Sequence, residues 1–311
     1  EANVDAVICW DLAVIKKCKE LNIETHLSTQ ASVSNSEAAL QWKELGITRI
    51  VLARECSIED AQEIKEKSGL EIEMFVHGAR CISYSGRCFI SQELFNKSAN
   101  RGECLQPCRR EYKVIDEENK EMIMDNNFIM SAKDLCALPI LDKLQFVNLL
   151  KIEGRNRGPE YVFKVVSVYR KAIDAIKNNS FNEELVKELM PQLEAVYNKG
   201  FSTGFLMDYP HHQRAAEYGS KATTKKVQLG KISNFYNKLS VAEFKLESAG
   251  IKVGDKLAFT GPTTGYEEIV VENIHTDNGI VKEADKGEVI SIKLEFKVRE
   301  NDKVYLVTPL E

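Results

Sequence analysis

Four cysteines, Cys81, Cys88, Cys104 and Cys108, fall in the single segment 73–110 with spacing C-x(6)-C-x(15)-C-x(3)-C. Gly78, Gly86 and Gly102 stand among them, with Arg80, Arg87, Arg101, Arg109 and Arg110. Four thiols so grouped form either two disulfides or a metal site. Cys9, Cys18 and Cys56 are scattered over an expected strand, helix and loop, which fits reduced thiols and puts the metal site first. Thiolates bind zinc tetrahedrally or hold the corners of an iron–sulfur cluster, and both uses need four deprotonated sulfurs converging on one point. The arginines favour thiolate over thiol and draw an anionic substrate. The plain alternative is a zinc-stapled loop without chemistry. Cys136 is a fifth candidate ligand, replacing Cys104 or Cys108, against a buried helical thiol.

Other residue patterns carry weaker chemistry. Gly200-x-Ser202-x-Gly204 has the form of a nucleophile elbow, with Asp208 and His211 following in triad order. Residues 183–199 ahead of it read as helix, whereas an elbow needs a strand there, so the hydrolase reading is set aside. Between His211 and Lys238 basic residues gather, Lys225, Lys226 and Lys231 among them, against the single acid Glu217. That stripe reads as a phosphate-binding surface for structured RNA or as a solvated linker.

The elements that must position these residues alternate. Apolar runs at 4–10, 23–27, 47–53, 71–76 and 149–152 read as strands; helical spacing covers 12–21, 36–45, 57–67, 133–144 and 159–177. Ser57-x-x-Asp60 is a capping box, and Pro159 suits a first helical turn. Residues 112–115 and 121–124 form a hairpin. Short connections between strands and helices mean a parallel sheet, doubly wound or closed into a barrel. A helical stretch over 183–199 is interrupted by Pro191. From Val227 onward, period-2 strands and glycine turns predict a small all-β barrel.

The chain has 311 residues, enough for two cores, and a net charge of −5, so any nucleic-acid contact rests on a local basic patch. No apolar run approaches the length of a membrane span, and membrane contact is not expected. The start at Glu1 without methionine, entering a strand almost at once, suggests an N-terminal truncation.

The run Glu73-x-Phe75-x-x-Gly78-Ala79-x-Cys81-x(4)-Gly86-x-Cys88-x-x-Ser91 resembles the signature of the peptidase U32 family, the collagenase-like proteases. Further matches follow in family order: Gly102-x-Cys104-x(3)-Cys108-Arg109, Ser131-x-Lys133-Asp134-Leu135, 151–155 (Lys-Ile-Glu-Gly-Arg) and 200–205. Arg80 departs from the signature, which has an aliphatic residue there.

The resemblance implies a (β/α)8 barrel, with three strand–helix units preceding Glu1. Residues 1–178 would be a partial barrel with a cysteine-rich insertion at 77–130, 179–225 a helical, basic connector, and 226–311 a C-terminal β-barrel domain. In such a barrel the reacting groups sit just past the strands, which selects His26, Ser28, Gln30, Arg54, Glu55, His77, Lys151, Glu153, Arg155 and Arg157. Family members implied by the resemblance hydroxylate RNA: tRNA at the wobble uridine with prephenate as required metabolite, or ribosomal RNA. The expected roles are a 4Fe-4S cluster (alternatively zinc) on the four cysteines, Glu153 with Lys151 as catalytic residues, and His77, Arg109, Lys133 and Arg155 as substrate contacts. Peptidase activity is the runner-up, a zinc-stapled RNA-binding module the third reading, and the cytoplasm the expected location.

Overall fold

The computed structural model describes residues 3–122, 128, 130–207, 214–215 and 219–310. Contacts divide the chain into two units, Glu1–Arg155, Val165–Leu193 and Tyr197–Lys221 in one, and Asn156–Lys164, Glu194–Val196 and Ala222–Glu311 in the other.

In the first unit, strands β1 (Ala6–Cys9), β2 (Glu24–Leu27), β3 (Arg49–Val51) and β4 (Glu71–Gly78) alternate with helices α1 (Leu12–Glu20), α2 (Ser36–Glu44) and α3 (Ile58–Ser68). Each helix starts on a side-chain cap: Asp11, Asn35, and the reciprocal Ser57–Asp60 box. The segment after β4 holds a short helix α4 (Ile90–Phe95) and a hairpin of β5 (Val114–Ile115) with β6 (Glu121–Met122). Then come β7 (Asp134–Cys136), β8 (Leu149–Ile152), α5 (Pro159–Lys177), α6 (Glu183–Glu194) and β9 (Phe201–Ser202). Within this unit α5 buries Val165, Val168, Tyr169 and Ala172, the three-and-four spacing of one helical stripe.

The sheet runs β1-β2-β3-β4-β7-β9, and β8 also pairs with β4. Five strands, β1 to β4 and β8, are parallel, while β7 meets β4 antiparallel through His77↔Cys136. Among the described residues this sheet does not close, so the expected barrel appears only as an open α/β sheet.

Two element assignments change. The helix expected over 133–144 is a strand followed by a 3-10 stretch, Leu138–Leu144, with non-helical backbone at Ile140. Leu138, Leu141 and Leu144 are all buried, and a spacing of three belongs to a helix with three residues per turn. The helix over 183–199 runs through Pro191 without interruption and ends at Glu194.

The second unit is all-β apart from residues 156–164 and 194–196. Its strands are β10 (Thr224–Tyr236), β11 (Val241–Lys245), β12 (Ile251–Lys252), β13 (Lys256–Gly261), β14 (Gly265–Val270), β15 (Ile274–Thr276), β16 (Gly279–Val281), β17 (Glu283–Ala284), β18 (Val289–Lys293) and β19 (Lys303–Pro309). Eight of them form one antiparallel sheet ordered β14-β13-β19-β10-β11-β18-β15-β16, and β12 pairs with β17. Phe244, Phe259, Leu229 and Leu257 are fully buried in its core.

Candidate active site and cysteine centre

The motifs that are far apart in sequence meet at the end of β4. Gly78 has φ +108°, and a Cβ there would collide with the Glu153 carbonyl oxygen, so only glycine allows residue 153 to lie so close. The Glu153 amide donates to the His77 carbonyl at 2.8 Å. The Glu153 carboxylate in turn accepts from the Arg155 amide at 3.1 Å. The Arg155 guanidinium rests against Gly102, where an added Cβ would stand 3.0 Å away.

Lys151 does not stand free beside Glu153: its Nζ is 2.6 Å from Oε1 of Glu73, a buried acid. Both Lys151 and Arg54 lie over the Phe75 ring, at 5.6 and 5.1 Å from its centre. His77 is 1 % exposed, with ring contacts to Tyr169 and Phe201, and the Tyr169 hydroxyl is 3.4 Å from its Nδ1. Burial lowers its pKa to about 3, so the ring is neutral and acts as a wall of the site. Tyr169, which donates to the Val76 carbonyl at 2.8 Å, carried no sequence signal beyond its place on the helix's apolar stripe.

The cysteine segment is tied down by Arg109, whose Nη2 donates to Asp134 Oδ1 at 3.0 Å with both side chains buried. Asp134 Oδ2 accepts from the Lys199 amide at 3.1 Å. Among the described residues, Arg109 Nη1 and Ser131 Oγ are buried with no hydrogen-bond partner. Arg109, expected at the substrate, is thus engaged inside the protein. Its partner Asp134 was visible only as a motif residue. Lys133 lies near Gly200, its Cδ and Cε 4.0 Å from where a Cβ would sit.

Cys108 is pushed up to about 11, first by burial and then by Cys81, with Cys104 and Cys88 adding and Arg109 opposing. Cys108 therefore lies within electrostatic reach of the other three. The Gln106 amide donates to Cys104 Sγ at 3.4 Å. The donor chemistry fits a soft-metal centre. Among the described residues, however, no three His, Cys, Asp or Glu side chains are gathered at metal-binding spacing. Cys136 is a buried strand residue, not a helical thiol, and its Sγ is 3.9 Å from the Tyr169 hydroxyl.

A cavity of about 300 Å³ opens beyond the ends of β2, β3 and β4, with Arg54, Glu55, Arg80, Cys81, Tyr84 and Phe205 on its walls. Arg80, the departure from the signature, lies over Phe205 at 5.8 Å. Arg80 is one of the arginines expected to draw an anionic substrate, whereas Phe205 carries no sequence signal beyond its place in a matched motif.

Ser202 ends the two-residue strand β9, and its Oγ accepts from the Gly204 amide at 3.3 Å. No helix follows it among the described residues up to Met207, and Asp208 and His211 lie outside them. In the second unit, Lys225 and Lys231 are exposed on β10. Lys226 is paired with Glu160 and lies over the Tyr266 and Tyr305 rings at 5.6 and 5.3 Å.

Residues 1–216 match Peptidase family U32. The chain belongs to that family. Its relatives carry two kinds of name. A protein named "Collagenase" from Porphyromonas gingivalis is 39% identical over 98% of this chain and 77% of its own length. "tRNA hydroxylation protein P1" from Bacillus subtilis is 35% identical over 96% of this chain and 73% of its own. "tRNA hydroxylation protein P" from Escherichia coli is 30% identical over 90% and 72%. The motif spacing of this U32 chain had implied the same family.

Proposed function

We propose that this U32 chain is an RNA-modifying enzyme that hydroxylates a base, with a tRNA wobble uridine as the substrate and ribosomal RNA as the other RNA to be tested. The observation that carries the reading is the meeting of two family motifs on one cavity, Cys81 from the first and Phe205 from the last in its wall, while Glu153 of a third packs on His77 and Gly78 at the end of β4. The tRNA hydroxylation proteins among its relatives support the choice of RNA.

Cys81, Cys88, Cys104 and Cys108 would hold a 4Fe-4S cluster, or zinc in the alternative reading. Such a cluster supplies electron transfer when bound. Arg155 and Lys133 supply charge for a small carboxylate such as prephenate, Glu153 holds or takes a proton, and Arg109 fixes the cysteine segment in place. His77, neutral and buried, holds the end of β4 through Tyr169 and Phe201. We read the five parallel strands as an arc of a (β/α)8 barrel. Among the described residues no helix is long and apolar enough to cross a membrane, and the proposed location is the cytoplasm.

Nucleoside mass spectrometry of total RNA from cells lacking the gene tests the proposal. Loss of 5-hydroxyuridine-type nucleosides, restored by wild type and not by Glu153→Ala or Cys88→Ser, is expected. Unchanged modification in all RNA would overturn it. Peptide hydrolysis is the second reading, favoured by the relative named Collagenase.

A further inference from the structure

The turn at the cavity mouth presents an aromatic ring to solvent while its backbone is held from two sides. The Arg87 amide bonds to the Tyr84 carbonyl at 3.3 Å, closing a turn through Ser85 and Gly86. Ser85 Oγ accepts from Arg54 Nη1 at 2.8 Å, which ties the turn to the residues after β3. Gly86 has φ +73°, and a Cβ there would come within 2.8 Å of Gln30 Nε2, so the turn also packs on the residues after β2. A loop anchored this way can hold its side chains in place for a ligand. Yet Tyr84 is 64 % exposed, and Phe89 a few residues on is 61 % exposed. Tyr84, a large ring left in water on a held turn that lines the cavity, with exposed Phe89 five residues on, marks a contact surface.

Charge decides what kind. Of the six cationic side chains in residues 80–110, Arg109 is buried on Asp134 and Lys97 pairs with Glu103, which leaves Arg80, Arg87, Arg101 and Arg110 against Glu93 in a chain whose net charge is −5. Arg87, at the end of the turn, is exposed. A polyanion with flat apolar groups satisfies both features: single-stranded nucleic acid stacks its bases on aromatic rings and lays its phosphates along cations. A groove for an apolar peptide would use the rings but would not need the arginines.

We propose that the Tyr84–Arg87 turn, with Phe89, is the platform on which unpaired RNA nucleotides stack at the cavity mouth, with Arg87 on a phosphate. This rests on the RNA reading above and adds to it where the strand lies and that the strand is single. The nucleotide whose base enters the 300 Å³ cavity is flanked by one stacked on Tyr84, which lines that cavity.

The test measures fluorescence anisotropy of the full chain with a labelled single-stranded oligouridine of roughly eight nucleotides over a series of salt concentrations. Tyr84→Ala is expected to weaken Kd by about tenfold and Tyr84→Phe to leave it near wild type, since the ring stacks and not the hydroxyl. Phe89→Ala should weaken binding in the same direction. Arg87→Ala should flatten the salt dependence by about 0.7 in slope, the value for one phosphate of a single strand. Thermal melting of each variant separates lost contact from lost fold, because exposed residues should melt as wild type does.

If wild type binds and Tyr84→Ala binds equally, the platform is overturned while the RNA reading stands. If wild type binds no RNA and the gene deletion leaves all RNA modification unchanged, both fall. Sedimentation in which Tyr84→Ala or Phe89→Ala dissolves a dimer without changing RNA affinity would make the surface a contact between copies and also overturn the platform.

Discussion

Arg109 and Asp134 meet at 3.0 Å with side chains only 8% and 4% exposed, and so join the cysteine segment to β7. The two residues come from different matched motifs, and their pairing fixes Arg109, the neighbour of Cys108, to β7. A buried pair is strongly destabilising to break on one side, because the remaining charge is left without a partner. Asp134→Ala should therefore cost about 3–5 kcal/mol in urea unfolding. The double replacement Asp134→Leu with Arg109→Met should recover most of that loss. Equal losses in the single and double variants would show that the pair is not the fastening.

His77 makes stability depend on pH. Its folded pKa of about 3 lies below the ordinary 6.5, so the unfolded chain takes up the proton first as pH falls. The contribution is complete above pH 6.5 and is lost between there and about pH 3, at about 1.4 kcal/mol per pH unit. Urea midpoints measured from pH 7.5 downward should fall less steeply for His77→Gln than for wild type. Parallel curves would assign the slope to other groups.

Metal content separates the cluster from the zinc staple. Protein purified without oxygen should be brown and contain iron and acid-labile sulfide, and Cys81→Ser or Cys88→Ser should lose both. Cys56→Ser should keep them, since Cys56 is buried, donates to the Val33 carbonyl and is pushed up to about 12 by that burial. One zinc and no sulfide would favour the binding-module reading.

Peptidase chemistry through Ser202 predicts cleavage abolished by Ser202→Ala. The expected result is no cleavage of any peptide by protein freed of contaminating proteases. Robust cleavage that Ser202→Ala removes would replace the RNA reading.

The two neighbouring lysines of β10 should behave differently. Lys225→Glu removes an exposed charge and should weaken RNA binding and lower its salt slope, with little change in melting. Lys226→Glu puts a like charge beside Glu160, and its main effect should be on melting of the second unit. Identical effects of both on RNA affinity would mean that Lys226 leaves Glu160 when RNA binds.

The sequence by itself determined the local elements and the family. Strand and helix periodicity located β4, β8 and α5 to within a few residues, because one-sided burial writes its period into the chain and a cap such as Ser57–Asp60 marks a start. The cysteine spacing and the motifs named the residues around the site. What the tertiary structure decided was who meets whom. Lys151 goes to Glu73, Arg109 to Asp134 and Lys226 to Glu160, and a charged residue's partner across the fold leaves no trace in local pattern. Leu138, Leu141 and Leu144 read as helix, yet β7 forms ahead of them because pairing with both β4 and β9 outweighs local propensity. Arg80, Tyr84 and Phe205 reach one cavity only because strand ends far apart in sequence lie side by side in the sheet.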